Sequence, residues 1–275
     1  MRSIIAEGLN GRFAPSVFLR SSTVPENALS MEAGQKGSCM MGLYARVVAE
    51  GATAVFDAET CGCGGAIVAL GFGNEYTADA FAEDMYSALF TRGLPDARDT
   101  ERYRQIMDHL PESDRAKFLR GERLFPDKES ALHWIRHEVP VYTYQEPYAV
   151  LKPLTGLHED ETPLSVIFTV NPVELSALVV IAASISGSPC MCVTPAGSGC
   201  SMFASMVRQQ AESPQPSAVL GLLDLSARPH VRPLIPDDYL SYSVPWRLFL
   251  DLEKAANEGI FTASIWADAV SGRVA

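Results

Sequence analysis

The stretch from Ser165 to Gly187 constrains this chain more than any other. Ser165 to Val170 is a short apolar run of strand length. Asn171-Pro172-Val173-Glu174 follows, with a capping residue, proline at the first helical position and an early glutamate. The run Leu175 to Ile185 is apolar except at Ser176 and Ser184, and is too short to cross a bilayer. A strand that feeds straight into a buried helix belongs to a fold of sheet and helix layers.

The same alternation recurs on both sides. Ser16 to Ser22 reads as a strand, and Lys36-Gly37-Ser38-Cys39 opens a helix that runs to Glu50. Its apolar residues Met40, Leu43, Tyr44, Val47 and Val48 keep a helical period, and Gly51 stops it. Thr53 to Phe56 is a strand, and the turn Cys61-Gly62-Cys63-Gly64-Gly65 leads into Ala66 to Leu70. Tyr148 to Leu151, Cys190 to Val193, Ala218 to Leu223 and Tyr239 to Val244 read as further strands. Ser201 to Gln210 and Pro245 to Asn257 read as helices. Residues 77–139 are more polar, mostly helical and broken at Pro95, Pro111, Gly121 and Pro126. They read as a cover on one domain spanning 1–275. The prediction is an α+β (or α/β) protein, a mixed sheet flanked by helices. A weak repeat matches Gly51 to Cys63 with Gly187 to Cys200.

Twenty-two Lys and Arg against 33 Asp and Glu leave a net charge of −11. That balance argues against a nucleic-acid partner, whose phosphates need clustered cations, and against an anionic membrane surface. With no apolar leader visible, the reading is a cytoplasmic protein. Six cysteines are too few and too clustered for a secreted disulfide framework, so reduced thiols are expected.

Cys39, Cys63 and Cys200 each stand beside Ser or Gly at a predicted helix start, where unpaired N–H groups lower a thiol pKa. Three converging thiolates suit an iron–sulfur cluster. Zinc fits less well, because no C-x2-C knuckle is present. Cys61, Cys190 and Cys192 are candidates for a fourth ligand, and Cys190 and Cys192 share one face if they lie in a strand. The plain alternative is that these cysteines are small buried hydrophobes in tight turns.

Other motifs carry less. His133 and His137 stand four apart on a helix, but Trp134 occupies the glutamate place of HExxH, so a solvated face is the better reading. No GxGxxG, P-loop or GxSxG string is complete. Asp224 and Arg228 read as an anion clamp or, more simply, an ion pair closing a strand. Glu101-Arg102-Tyr103-Arg104 reads as a charged helix face.

Taken in order, several strings resemble the family called domain of unknown function 169. They are Cys39-Met40-Met41, Gly62-Cys63-Gly64-Gly65, Leu70-Gly71-Phe72-Gly73-Asn74 and Glu101-Arg102-Tyr103. Lys152-Pro153-Leu154, Asn171-Pro172, Gly199-Cys200, Asp224-Leu225-Ser226-Ala227-Arg228, Tyr242-Ser243-Val244-Pro245 and Trp266 continue the series. The resemblance singles out Cys39, Cys63 and Cys200 over the other cysteines. This chain has Gly64 where the family usually has proline. The expected site lies between 36–74 and 187–230, with Cys39, Cys63 and Cys200 on a 4Fe-4S cluster. Gly62, Gly64, Gly65, Gly199 and Arg228 are expected around it, with a small anionic ligand near Arg228. Non-redox ligand binding and cysteine-nucleophile chemistry are the alternatives.

Overall fold

The structure is a computed structural model that describes residues 1–31, 39–93, 104, 107–108, 112–188, 190–257 and 259–271. Eight strands form one sheet: β1 (Ser16–Ser21), β2 (Leu29–Ser30), β3 (Ala54–Phe56), β4 (Tyr148–Pro153), β5 (Ser165–Val170), β6 (Cys192–Val193), β7 (Ala218–Gly221) and β8 (Leu240–Pro245). Their order is β2-β3-β4-β1-β5-β8-β7-β6. The β2·β3 and β6·β7 pairs are parallel and the rest antiparallel. This is a mixed sheet within an α+β architecture, as the alternation predicts.

Alternate strand residues feed two cores. Phe18, Phe56, Leu151 and Ile167 face α2 (Met41–Glu50) and α3 (Gly64–Leu70) on one side. Val17, Val150, Phe168 and Tyr242 join Ile5 of α1 (Ile4–Leu9) on the other. There they also meet Leu178 of the Pro172–Ser186 helix and Phe249 of the Trp246–Ala256 helix. Asn171 caps the Pro172–Ser186 helix by accepting from Val173 N at 2.9 Å and Glu174 N at 3.0 Å. Glu174 returns a bond to Asn171 N at 3.0 Å and completes the capping box.

The cover has its own small core. Tyr76, Tyr86, Leu89 and Phe90 cluster with Ala131 and Ile135 on Val68 of α3. Its helices include α4 (Ala80–Leu89), α5 (Glu112–Arg120) and α6 (Lys128–His133). Lys36-Gly37-Ser38 and Glu101-Arg102-Tyr103 lie outside the described residues.

Three sequence expectations need correction. The Cys190–Val193 strand is only Cys192–Val193, so Cys190 and Cys192 do not share a strand face. The helix predicted over Ser201–Gln210 is a 3₁₀ turn, Gly199–Met202, followed by a helix over Ser205–Ala211. The break buries Phe203 against the Tyr44 ring, stacked at 5.5 Å and 12°. The predicted repeat register also fails, because it matches β3, one strand in from an edge, with β6, an edge itself. Read outward from the β1·β5 seam, the order is β1-β4-β3-β2 on one side and β5-β8-β7-β6 on the other.

Candidate functional site

The thiols of interest lie on the face that carries α2 and α3. Cys39 stands just before α2, whose buried Met40, Met41, Tyr44 and Val47 seat that helix on the sheet. Met41 N–H hydrogen-bonds the Cys39 sulfur. Cys61 and Cys63 close the turn that leaves β3. Asp57 shapes it, with Oδ1 accepting from Glu59 N at 2.9 Å and Thr60 N at 2.7 Å. Cys63 is the extended N-cap residue of α3.

Cys200 comes from the other half of the sheet, in the turn between β6 and β7. Asp224, beyond β7, holds that turn: its Oδ2 accepts from Gly199 N at 2.8 Å. Its Oδ1 accepts from Ser226 N at 2.8 Å, Ser226 Oγ at 2.7 Å and Ala227 N at 3.3 Å. Gly199 is tightly packed here, since a β carbon would meet Ala227 Cβ at 3.2 Å and Met41 Cγ at 3.3 Å. The Cys200 thiol donates to Ser198 Oγ at 3.4 Å.

Cys39, Cys61 and Cys200 pack in or against one core cluster, and Cys63 packs on it too. Burial pushes Cys39 up to about 12, and a charged Cys63 and Asp224 push the same way; the Met41 N–H and Lys117 oppose them. Burial likewise pushes Cys61 up to about 12, opposed by a backbone hydrogen bond from Cys63 and reinforced by the charges of Cys63 and Asp57. Cys200 lies well above the usual thiol range through burial first, then Cys63, with Cys39 and Cys61 adding. Cys63 thus bears on all three. The expected lowering of these thiol pKa values is overturned for Cys39 and Cys200, because desolvation outweighs the few N–H bonds at each sulfur.

Cys190 is exposed, and Cys192 packs into the core of the opposite face. Neither joins the group, so Cys61 is the fourth thiol near it. Among the described residues, no three His, Cys, Asp or Glu side chains stand close enough to hold one metal ion.

The cover contributes groups that the sequence reading passed over. A β carbon on Gly64 would overlap the Tyr86 hydroxyl, and one on Gly65 would meet Tyr76 Oη at 3.2 Å. Both phenols are buried, with rings 4.8 Å apart at 65°, and both ionise only at raised pH because burial disfavours their anions. Lys117 of α5 is the cation that bears on Cys39. Glu122 follows, its carboxyl raised by burial and by Asp224, and lowered by Lys117. Gly62 is half-buried in the same turn.

Arg228 opens a short helix, Arg228–Val231, and does not pair with Asp224, whose oxygens are taken by backbone and Ser226. Its Nη1 is buried without a hydrogen-bond partner. The predicted ion pair is therefore absent among the described residues. His133 and His137 are exposed with rings 5.0 Å apart, and His133 faces Glu138 at 3.5 Å, a solvated face as read.

One pH dependence follows. Unfolded thiols ionise near pH 9, whereas folded Cys39 and Cys61 hold their protons to about 12. The folded chain binds more protons in between, so stability present below pH 9 is lost as pH rises toward 12. Denaturant midpoints of the metal-free chain should fall across that window, and Cys61→Ala should flatten the fall.

No curated protein and no solved structure matches the chain. The family model of domain of unknown function 169, described as Uncharacterised ArCR, matches residues 16–255. That range takes in all eight strands and all six cysteines, on the framework that carries the thiol site. The chain belongs to this family.

Proposed function

We propose that this chain is an iron–sulfur protein whose Cys39, Cys63 and Cys200 hold a 4Fe-4S cluster, with Cys61 the candidate for the fourth ligand. One observation carries the reading: Cys39, the Cys61–Cys63 turn and Cys200, from three separate segments of the chain, pack in or against one core cluster. Thiols held at about 12 are uncharged at neutral pH, which counts against a free cysteine nucleophile. A bound metal reverses this, because a coordinating thiol is deprotonated outright. Tetrahedral zinc, with Zn–S bonds of ~2.3 Å, needs sulfurs about 3.8 Å apart. No such trio exists among the described residues. A cluster seats each thiolate on a different iron and so takes sulfurs set wider apart.

When bound, the cluster supplies one-electron chemistry or an open iron for a ligand. The chain's own part is to exclude water. Tyr76 and Tyr86 close over Gly64 and Gly65 behind Cys63, and their neutral hydroxyls stay available as hydrogen-bond donors. Anaerobic purification with iron and sulfide analysis tests the proposal. It predicts a brown protein, bleached by dithionite, with about four iron per chain. A colourless, iron-free, folded protein would overturn it and favour a non-redox ligand-binding protein.

A further inference from the structure

The cover carries an exposed patch that the thiol site does not use. Arg92, Arg120 and Arg123 are exposed there, and among the described residues none of them has a carboxylate partner. Two leucines neighbour them in the chain: Leu119 is 40% exposed and Leu124 57%. We propose that this patch docks an acidic face of another protein, one with carboxylates around an apolar centre. Docking there needs no cluster.

The backbone gathers these residues from two stretches of chain. Arg123 N donates to Thr91 O at 2.9 Å, and Phe125 N donates to Phe90 O at 3.0 Å. Gly93 and Gly121, both at positive φ, abut, and a β carbon on Gly93 would meet Gly121 N at 2.5 Å. Arg123 is left-handed as well, at φ 55°. Glycine or asparagine would adopt that conformation more easily than arginine does. Residues held in such strain cluster at binding surfaces and other working sites.

The charge points to the partner. Several exposed arginines elsewhere stand beside carboxylates, as in Arg46–Glu50, Arg136–Glu83 and Arg208–Glu212. Glu122, next to Arg123, is half-buried and bears on Lys117 and Asp224 instead. Arg120 suits the C-terminal end of α5, whose dipole favours a cation, but Arg92 and Arg123 lie outside the helices. On a chain of net charge −11, an unpaired basic patch orients an acidic partner that the net charge otherwise repels. Screening over ~8 Å at physiological salt lets the patch act locally. A nucleic acid fits less well, because its charge runs on beyond the patch and its backbone offers nothing to the leucines. Arginine beside exposed apolar side chains suits a protein.

Three fluorescein-labelled probes test this on the full chain as purified. They are a glutamate-rich peptide with leucines at its centre, the same peptide with serine for leucine, and a single-stranded DNA of equal charge. Anisotropy should show saturable binding of the leucine peptide, weakened about tenfold between ~50 and ~200 mM salt. The serine peptide should bind severalfold more weakly, and the DNA more weakly than the leucine peptide. Arg92→Glu combined with Arg123→Glu should cost about tenfold, the scale of two exposed ion pairs reversed. Arg247→Glu makes a like charge change on the Trp246–Ala256 helix and should leave binding alone. Arg123→Asn separates docking from folding: binding should weaken about threefold while the urea midpoint holds or rises. No saturable binding of the leucine peptide, full binding by the double variant, or an equal loss in Arg247→Glu would overturn the proposal. DNA bound as tightly as the leucine peptide would overturn it in favour of a nucleic-acid partner.

Discussion

Cys63→Ser is expected to strip the protein of its iron, while Cys190→Ser and Cys192→Ser leave the iron in place. Cys63 is the thiol whose charge reaches Cys39, Cys61 and Cys200 alike. Serine offers a hard oxygen that remains protonated, a poor substitute for thiolate on iron–sulfur. The usual objection to such a variant, that it unfolds, is weak here. Cys63 is the N-cap of α3 and caps nothing with its side chain, whereas serine is among the best N-cap residues. The variant should therefore fold at least as well as the parent. Iron, sulfide and far-UV dichroism measured together separate ligand loss from unfolding. Full retention of iron in folded Cys63→Ser would remove this residue from the centre.

Glu161→Ala should be strongly destabilising although it lies away from the site. Lys152 lies on β4, opposite Val17 of the central strand β1, and is 6% exposed. Its Nζ donates to Glu161 Oε1 at 2.7 Å and Oε2 at 2.5 Å, and Glu161 also accepts from His158 N at 2.8 Å. Removing the carboxylate leaves a buried ammonium without its counter-charge. Broken buried pairs cost about 3–5 kcal/mol, and the low end applies because Glu161 is itself partly exposed. The loss should therefore be about 3 kcal/mol in urea unfolding. Lys152→Met added to Glu161→Ala should recover most of it, since the stranded charge is then gone. A loss below about 1 kcal/mol would place this pair with ordinary surface ion pairs.

Much of the central sheet and its helices is legible in the sequence because its signals are local. Ser165–Val170 and the Asn171 cap are read residue for residue, from an apolar run and a capping pattern that need no distant partner. Gly51 ends α2 in the left-handed conformation that its place after the periodic residues implies. The edge strands β2 and β6 have two residues each, too few for any period to show. Phe203 breaks a helix for the sake of Tyr44 and Phe18, residues more than 150 positions away.

The site divides in the same way. Cys39, Cys63 and Cys200 stand out by their Gly and Ser neighbours, and the fold brings them to one face. The raised pKa of Cys39 and Cys200 is not legible, because a turn shows its N–H groups in the sequence, while the core behind it does not. Tyr86, Lys117 and Glu122 come from a segment, 77–139, whose polarity reads as solvent-facing, and Tyr76 stands just before it. Their approach to the thiols depends on how the cover seats on Val68, which no local pattern records.

The most direct test of the central claim is an anomalous-difference map at the iron edge, from crystals grown and frozen without oxygen. The account predicts iron density between the sulfurs of Cys39, Cys63 and Cys200. Iron bound instead at Cys190 or Cys192, or iron-free crystals of an anaerobically prepared protein with these three thiols bare, would contradict it.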